Sequence, residues 1–108
     1  MIMIAQIQPS ELKRMLDAGH PVLLLDVRQP EEYAFCALPG SVLIPLGELA
    51  GRVEDVQPAG ATVVVYCHHG VRSLSGAAIL NRAGIEAASL AGGIDRWSLT
   101  VDESVPRY

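Results

Sequence analysis

The sequence predicts an α/β fold in which a mainly parallel sheet carries helices on both faces. Short apolar runs alternate along the chain with stretches of helical periodicity. Two of those runs, Val22 to Leu25 and Thr62 to Tyr66, are continuously apolar or β-branched, as strands covered on both faces must be. Alternation of this kind implies right-handed crossovers, and so parallel strands. At 108 residues the chain suits one domain spanning 1–108 with a modest core.

Composition narrows the class further. Half the residues are apolar and only 19% are charged, which predicts a folded chain rather than a disordered one. The net charge of −4, with basic residues scattered from Lys13 to Arg107, argues against nucleic acid as a partner. No apolar run is long enough to cross a bilayer, so no membrane role is expected. The Met1–Ala5 run is too short for a signal-peptide core and lacks a basic flank, which predicts a cytoplasmic protein. Thiols stay reduced there, so Cys36 and Cys67 read as one reactive thiol and one bystander rather than a disulfide.

Met3 to Ile7 reads as a short edge strand closed by Pro9, and Ser10 to Ala18 as a helix ended by Gly19. His20 and Pro21 make the turn into the Val22–Leu25 strand. At that strand's carboxyl end, the side where ligands bind in open α/β sheets, stand Asp26, Val27 and Arg28. Asp26 is expected to accept hydrogen bonds from loop amides or an arginine. Arg28 is expected to stabilise the rim through an ion pair, the alternative being a second positive charge near a pocket. Pro30 and the glutamates Glu31 and Glu32 open another helix, the carboxylates complementing its dipole on a solvated face.

Val42 to Ile44 is a short strand, and Leu46 to Val53 a short helix. Residues 54–61 connect into the Thr62–Tyr66 strand. Ser73 to Ala83 reads as a helix with Ser73 as N-cap and Gly84 as its stop. Glu86 to Leu90 is the last strand, and Trp97 lies on a terminal helix as a packing anchor. Residues 100–108 show little periodicity and are expected to form an extended C-terminal tail lying on the surface.

The chemistry concentrates in the loop from Cys67 to Arg72. It sets a cysteine at a strand's carboxyl end and faces it with the free N–H groups of the next helix. Those donors and the helix dipole favour an anion at the sulfur. Gly70 permits the backbone angles that turn successive amides inward, and Arg72 adds a planar fork of donors suited to oxyanions. A Cys-His-His string invites a zinc reading, but adjacent residues rarely point at one metal and no second ligand cluster is suitably spaced. No metal or cofactor is therefore expected, and one imidazole of His68 and His69 is expected to line the rim.

The string Cys67-His68-His69-Gly70-Val71-Arg72-Ser73 resembles the active-site loop of single-domain rhodanese-type sulfurtransferases, Cys-x-x-Gly-x-Arg followed by Ser or Thr. Three further matches follow that family's order: Asp26-Val27-Arg28, Pro39-Gly40-Ser41 before Val42 to Pro45, and Leu90 to Ile94 with Trp97. The resemblance covers roughly residues 4–99 and implies a rhodanese-like sheet of five strands with the Cys67 loop at its carboxyl edge. The chain departs from the family around Cys36-Ala37-Leu38, where the usual glycine and histidine are missing.

The resemblance implies sulfur transfer, with Cys67 taking sulfane sulfur from thiosulfate or a similar small anionic donor as a persulfide. A thiol, dithiol or other thiophilic acceptor, which a protein can supply, then removes it. Arg72 would bind the donor, and amides from His68, His69, Gly70, Val71 and Ser73 would stabilise the persulfide. A non-enzymatic persulfide carrier or partner-binding module is the alternative. Cysteine-dependent phosphatase or arsenate chemistry is less suited, because related phosphatases use Cys-x5-Arg and only four residues separate Cys67 from Arg72 here. Cys36 is either a resolving thiol or a small, partly buried residue.

Overall fold

The structure is a computed structural model that describes residues 3–108, so Met1 and Ile2 of the Met1–Ala5 run lie outside it. Its elements run β1 (Gln6–Ile7), α1 (Pro9–Asp17), β2 (Val22–Asp26), α2 (Pro30–Phe35), β3 (Val42–Leu43) and α3 (Leu46–Leu49). A 3-10 turn at Val53–Asp55 follows. The chain then forms β4 (Thr62–Tyr66), α4 (Arg72–Arg82), β5 (Ala87–Leu90) and α5 (Gly93–Thr100). The strands make one five-stranded sheet in the order β1-β5-β4-β2-β3, and each neighbouring pair is parallel.

β4 is central because it is the run that can be buried on both sides. Val64 and Tyr66 point into one core with Leu12, Leu24, Leu90, Ile94 and Trp97, under α1 and α5. Val63 and Val65 point into the other with Leu25, Leu49, Ala77 and Leu80, under α3 and α4. Side chains alternate along a strand, so Cys67, one residue past β4, continues onto the α3/α4 side. Tyr66 is fully buried, and its hydroxyl meets the Ser41 hydroxyl at 2.8 Å and accepts from the Leu38 amide at 3.1 Å. These bonds fix the segment that leads into β3.

Several elements differ from the expectation in extent. β1 is confined to Gln6–Ile7, because it pairs only with Ser89 and Leu90 and its buried residue is Ile7. Pro9 opens α1 at its first turn rather than closing the strand, since its missing N–H would have had no partner there. The helix expected over Leu46–Val53 breaks into α3 and the 3-10 turn across Gly51. Residues 101–108 do not lie loosely on the surface. Val105 is buried in the α1/α5 core, its carbonyl accepts from Ser98 Oγ at 2.6 Å, and Arg107 pairs with Asp95 at 2.9 Å.

Candidate functional site

Cys67 follows β4 directly and is 1% exposed. The chain then turns back to start α4 at Arg72, and two of its amides reach the sulfur: Gly70 N at 3.1 Å and Ser73 N at 3.3 Å. Gly70 has φ +95°, and a Cβ there would stand 2.9 Å from the Gly92 amide nitrogen, so glycine is required on both counts. Gly93 is as constrained, because a Cβ would collide with the carbonyls of Cys67 and His68. The amides of Ile94 and Asp95 bond to those same carbonyls at 2.9 and 3.1 Å, locking the start of α5 beneath the loop.

Ser73 does not cap α4. Val71 occupies the N-cap position, and the Ser73 side chain turns inward instead. Its hydroxyl lies 3.4 Å from Cys67 Sγ and 2.7 Å from the hydroxyl of Ser89 on β5. Both serines are fully buried. A buried hydroxyl needs a partner, and here the sulfur and Ser89 outcompete the helix end for it.

Asp26 and Arg28 form the ion pair expected of them. The Arg28 Nη2 to Asp26 Oδ2 distance is 2.6 Å, Arg28 Nε and its own amide also donate to Asp26, and both side chains are fully buried. Burial works against the Arg28 charge, but the bonds to Asp26 and Tyr108 hold the guanidinium more basic than usual. Arg28 also donates to the Cys36 carbonyl at 2.6 Å, while the Cys36 thiol donates to the Pro106 carbonyl at 3.4 Å. Cys36 is thus buried, with its thiol bonded to a backbone carbonyl.

Arg72 stands at the rim, and one edge of its guanidinium is paired with a carboxylate. Nη1 and Nη2 donate to the two carboxylate oxygens of Glu32 at 2.7 and 2.9 Å. Glu32 also accepts from the Gln29 amide at 2.9 Å and the Tyr108 hydroxyl at 2.7 Å. The Arg72 bond, opposed by partial burial and helped by Gln29 and Tyr108, holds the Glu32 carboxyl at about 2. Glu32 was expected only to complement a helix dipole on a solvated face, and it does more than that. Gln29 is a local partner, but Arg72 and Tyr108 lie forty and seventy-six positions away, and no local pattern signals them.

The His68 ring is sandwiched between His69 (centroids 3.8 Å apart) and Tyr108 (3.9 Å, planes 6° apart). Burial, with a smaller contribution from His69, pushes the His68 imidazole below its ordinary value and so disfavours its charged form. Val71 is exposed, and the amides of His68, His69 and Val71 are not among the groups bonded to the sulfur. His69 Nε2 approaches Asp95 Oδ2 at 3.9 Å, a pairing that sequence spacing does not show. His68, His69 and Asp95 bring ligand atoms within 4.8 Å of one another, yet Arg107 already holds the Asp95 carboxylate. The geometry is suited to binding a sulfur-centred anion against backbone amides. No helix among the described residues is long and apolar enough to cross a membrane.

Comparison with known proteins gives the chain a family and a set of relatives. The Rhodanese-like domain family matches residues 8–100. A sulfurtransferase of Allochromatium vinosum is 32% identical over 97 residues, covering 89% of this chain and 90% of that one. The adenylyltransferase and sulfurtransferase UBA4 of Yarrowia lipolytica is 35% identical over 104 residues, 95% of this chain but 26% of that protein. The chain therefore spans about a quarter of the length of such two-activity relatives. Among solved structures, a rhodanese-like domain protein from Staphylococcus aureus superposes with a TM-score of 0.83 at 30% identity, covering 97% of this chain and 99% of that one. The human single-domain sulfurtransferase TSTD1 gives 0.77 at 26% identity, covering 91% and 98%.

Proposed function

Because the chain belongs to the Rhodanese-like domain family, we propose that it transfers sulfane sulfur through a persulfide on Cys67. At the level of the family, sulfurtransferase activity is supported by the relatives. The observation that carries the finer reading is the pair of amides, Gly70 N and Ser73 N, converging on a buried Cys67 sulfur at the start of α4. The Cys67 thiolate attacks the outer sulfur of thiosulfate or a similar donor. A new S–S bond forms, the donor's own S–S bond breaks, and sulfite leaves with that bond's electron pair. A thiol acceptor then attacks the outer sulfur of the persulfide and returns the Cys67 thiolate. The amide pair stabilises negative charge at each stage without having to reorganise. Arg72 offers an unmatched charge to a sulfur donor only after Glu32 has released it.

Intact-protein mass spectrometry tests this reading. Thiosulfate should add the mass of one sulfur, a dithiol should remove it, and Cys67→Ser should abolish the gain in a folded protein. A serine variant that still gains sulfur refutes the assignment of Cys67.

A further inference from the structure

Arg72 enters the site with its charge already matched. The Glu32 carboxylate that matches it is held by four hydrogen bonds: two from Arg72, one from the Gln29 amide and one from the Tyr108 hydroxyl. Tyr108 is itself fixed. Its oxygen accepts from Arg28 Nη1 at 2.8 Å, and Arg28 is anchored on Asp26 and the Cys36 carbonyl. Its ring stacks on His68 and takes the edge of Phe35 at a centroid distance of 5.7 Å. We propose that Glu32, positioned by Tyr108, is a specificity-determining residue that withholds Arg72 from small anionic donors and so favours organic persulfides, R–S–SH, over thiosulfate.

The proposal rests on the sulfur-transfer reading above and adds a donor class to it. Thiosulfate is a dianion, and to gain the unmatched charge of Arg72 it must displace a carboxylate that the fold already orients. An organic persulfide has no oxyanion to place. It needs only the loop amides for its outer sulfur, and exposed apolar side chains lie on the elements that carry the pair: Phe35 on α2, Tyr108 against it, and Val71 beside Arg72. The step balances without an external oxidant. Cys67 Sγ bonds to the outer sulfur, the R–S to outer-sulfur bond breaks, the proton stays on the transferred sulfur, and R–S⁻ leaves.

The test uses the full chain carrying Cys36→Ser, which leaves Cys67 as its single thiol. Alkylation rates are measured with anionic iodoacetate and neutral iodoacetamide, and their ratio reads charge selectivity independently of sulfur chemistry. Glu32→Gln should raise the iodoacetate-to-iodoacetamide ratio about fivefold, the scale of one partly exposed charge pair. Tyr108→Phe, which keeps the stack and loses the hydroxyl, should move it the same way by less. The ratio of kcat/KM for thiosulfate to that for benzyl persulfide should follow in parallel. Loss of structure would expose the buried Cys67 and change both rates, so far-ultraviolet dichroism first shows that each variant keeps its fold; an unmoved ratio in folded Glu32→Gln with normal sulfur loading overturns the proposal by itself. A raised alkylation ratio with no sulfur loaded from either donor overturns the sulfur-transfer reading instead, and the donor assignment with it.

Discussion

The Cys67 sulfur is surrounded by two amides and one hydroxyl, and a single substitution can remove the hydroxyl. Hydroxyls rotate, so the Ser73–Ser89 pair can serve either charge state of the sulfur. Ser73 accepts from the neutral thiol, or donates to the thiolate while Ser89 donates to Ser73. Ser73→Ala should therefore slow persulfide formation about tenfold in single-turnover measurements, less than the loss of a fully preorganised oxyanion donor. It should also cost about 1–2 kcal/mol in denaturant unfolding, because Ser89 loses its partner in a dry interior. Ser73→Ala with Ser89→Ala should recover much of the stability and none of the rate. Recovery of both would mean that the hydroxyl matters only for packing. Sequence alone located Cys67, Gly70, Arg72 and Ser73, because one loop carries them. It missed the roles of Ser89, Glu32 and Tyr108, whose placement depends on elements that only the folded sheet brings together.

At the scale of elements, the strand, loop and helix from Thr62 to Arg82 were legible because their signals are local: a β-branched run, a glycine, then helix formers. Ser73 was misplaced for the same reason. A serine near a helix start reads as a cap, and nothing local reveals a buried sulfur competing for its hydroxyl. The loop's length is what lets Gly70 N and Ser73 N meet one atom. An extra residue adds up to roughly 3.5 Å of chain, more than a hydrogen bond can absorb. Inserting a glycine after Gly70 should therefore cut persulfide formation at least tenfold, a loss on the scale of an oxyanion donor, while the far-ultraviolet dichroism stays unchanged. Undiminished sulfur loading would show that the amides do not set the reactivity of the sulfur.

Across the whole molecule, Glu32 joins three stretches that are remote in sequence: α2, the start of α4 and the segment ending in Tyr108. Its carboxyl is lowered from an ordinary 4.5 to about 2, chiefly by Arg72. The folded protein therefore binds that proton less readily than the unfolded chain does. The stabilisation from Glu32 is complete above about pH 4.5 and disappears as the pH falls toward 2. Discounted for the partial exposure of Arg72, it is worth on the order of 1–2 kcal/mol. Urea unfolding of the wild type and Glu32→Gln should differ by that amount at pH 7 and converge near pH 2. A gap that does not change with pH would assign the effect to packing. The segment from residue 101 onward gave no periodicity to read, because its order comes from being pinned at Val105, Arg107 and Tyr108 rather than from repeating local bonds.

β4 sends its side chains alternately to the two cores, and Cys67 inherits its direction from that alternation. The orientation of the reactive atom is thus a matter of odd and even counting. Transplanting residues 67–73 onto another parallel strand would keep the chemistry only if the join follows a residue that faces away from the receiving helix. A join shifted by one position would leave the motif intact as text and turn its thiol into the opposite layer.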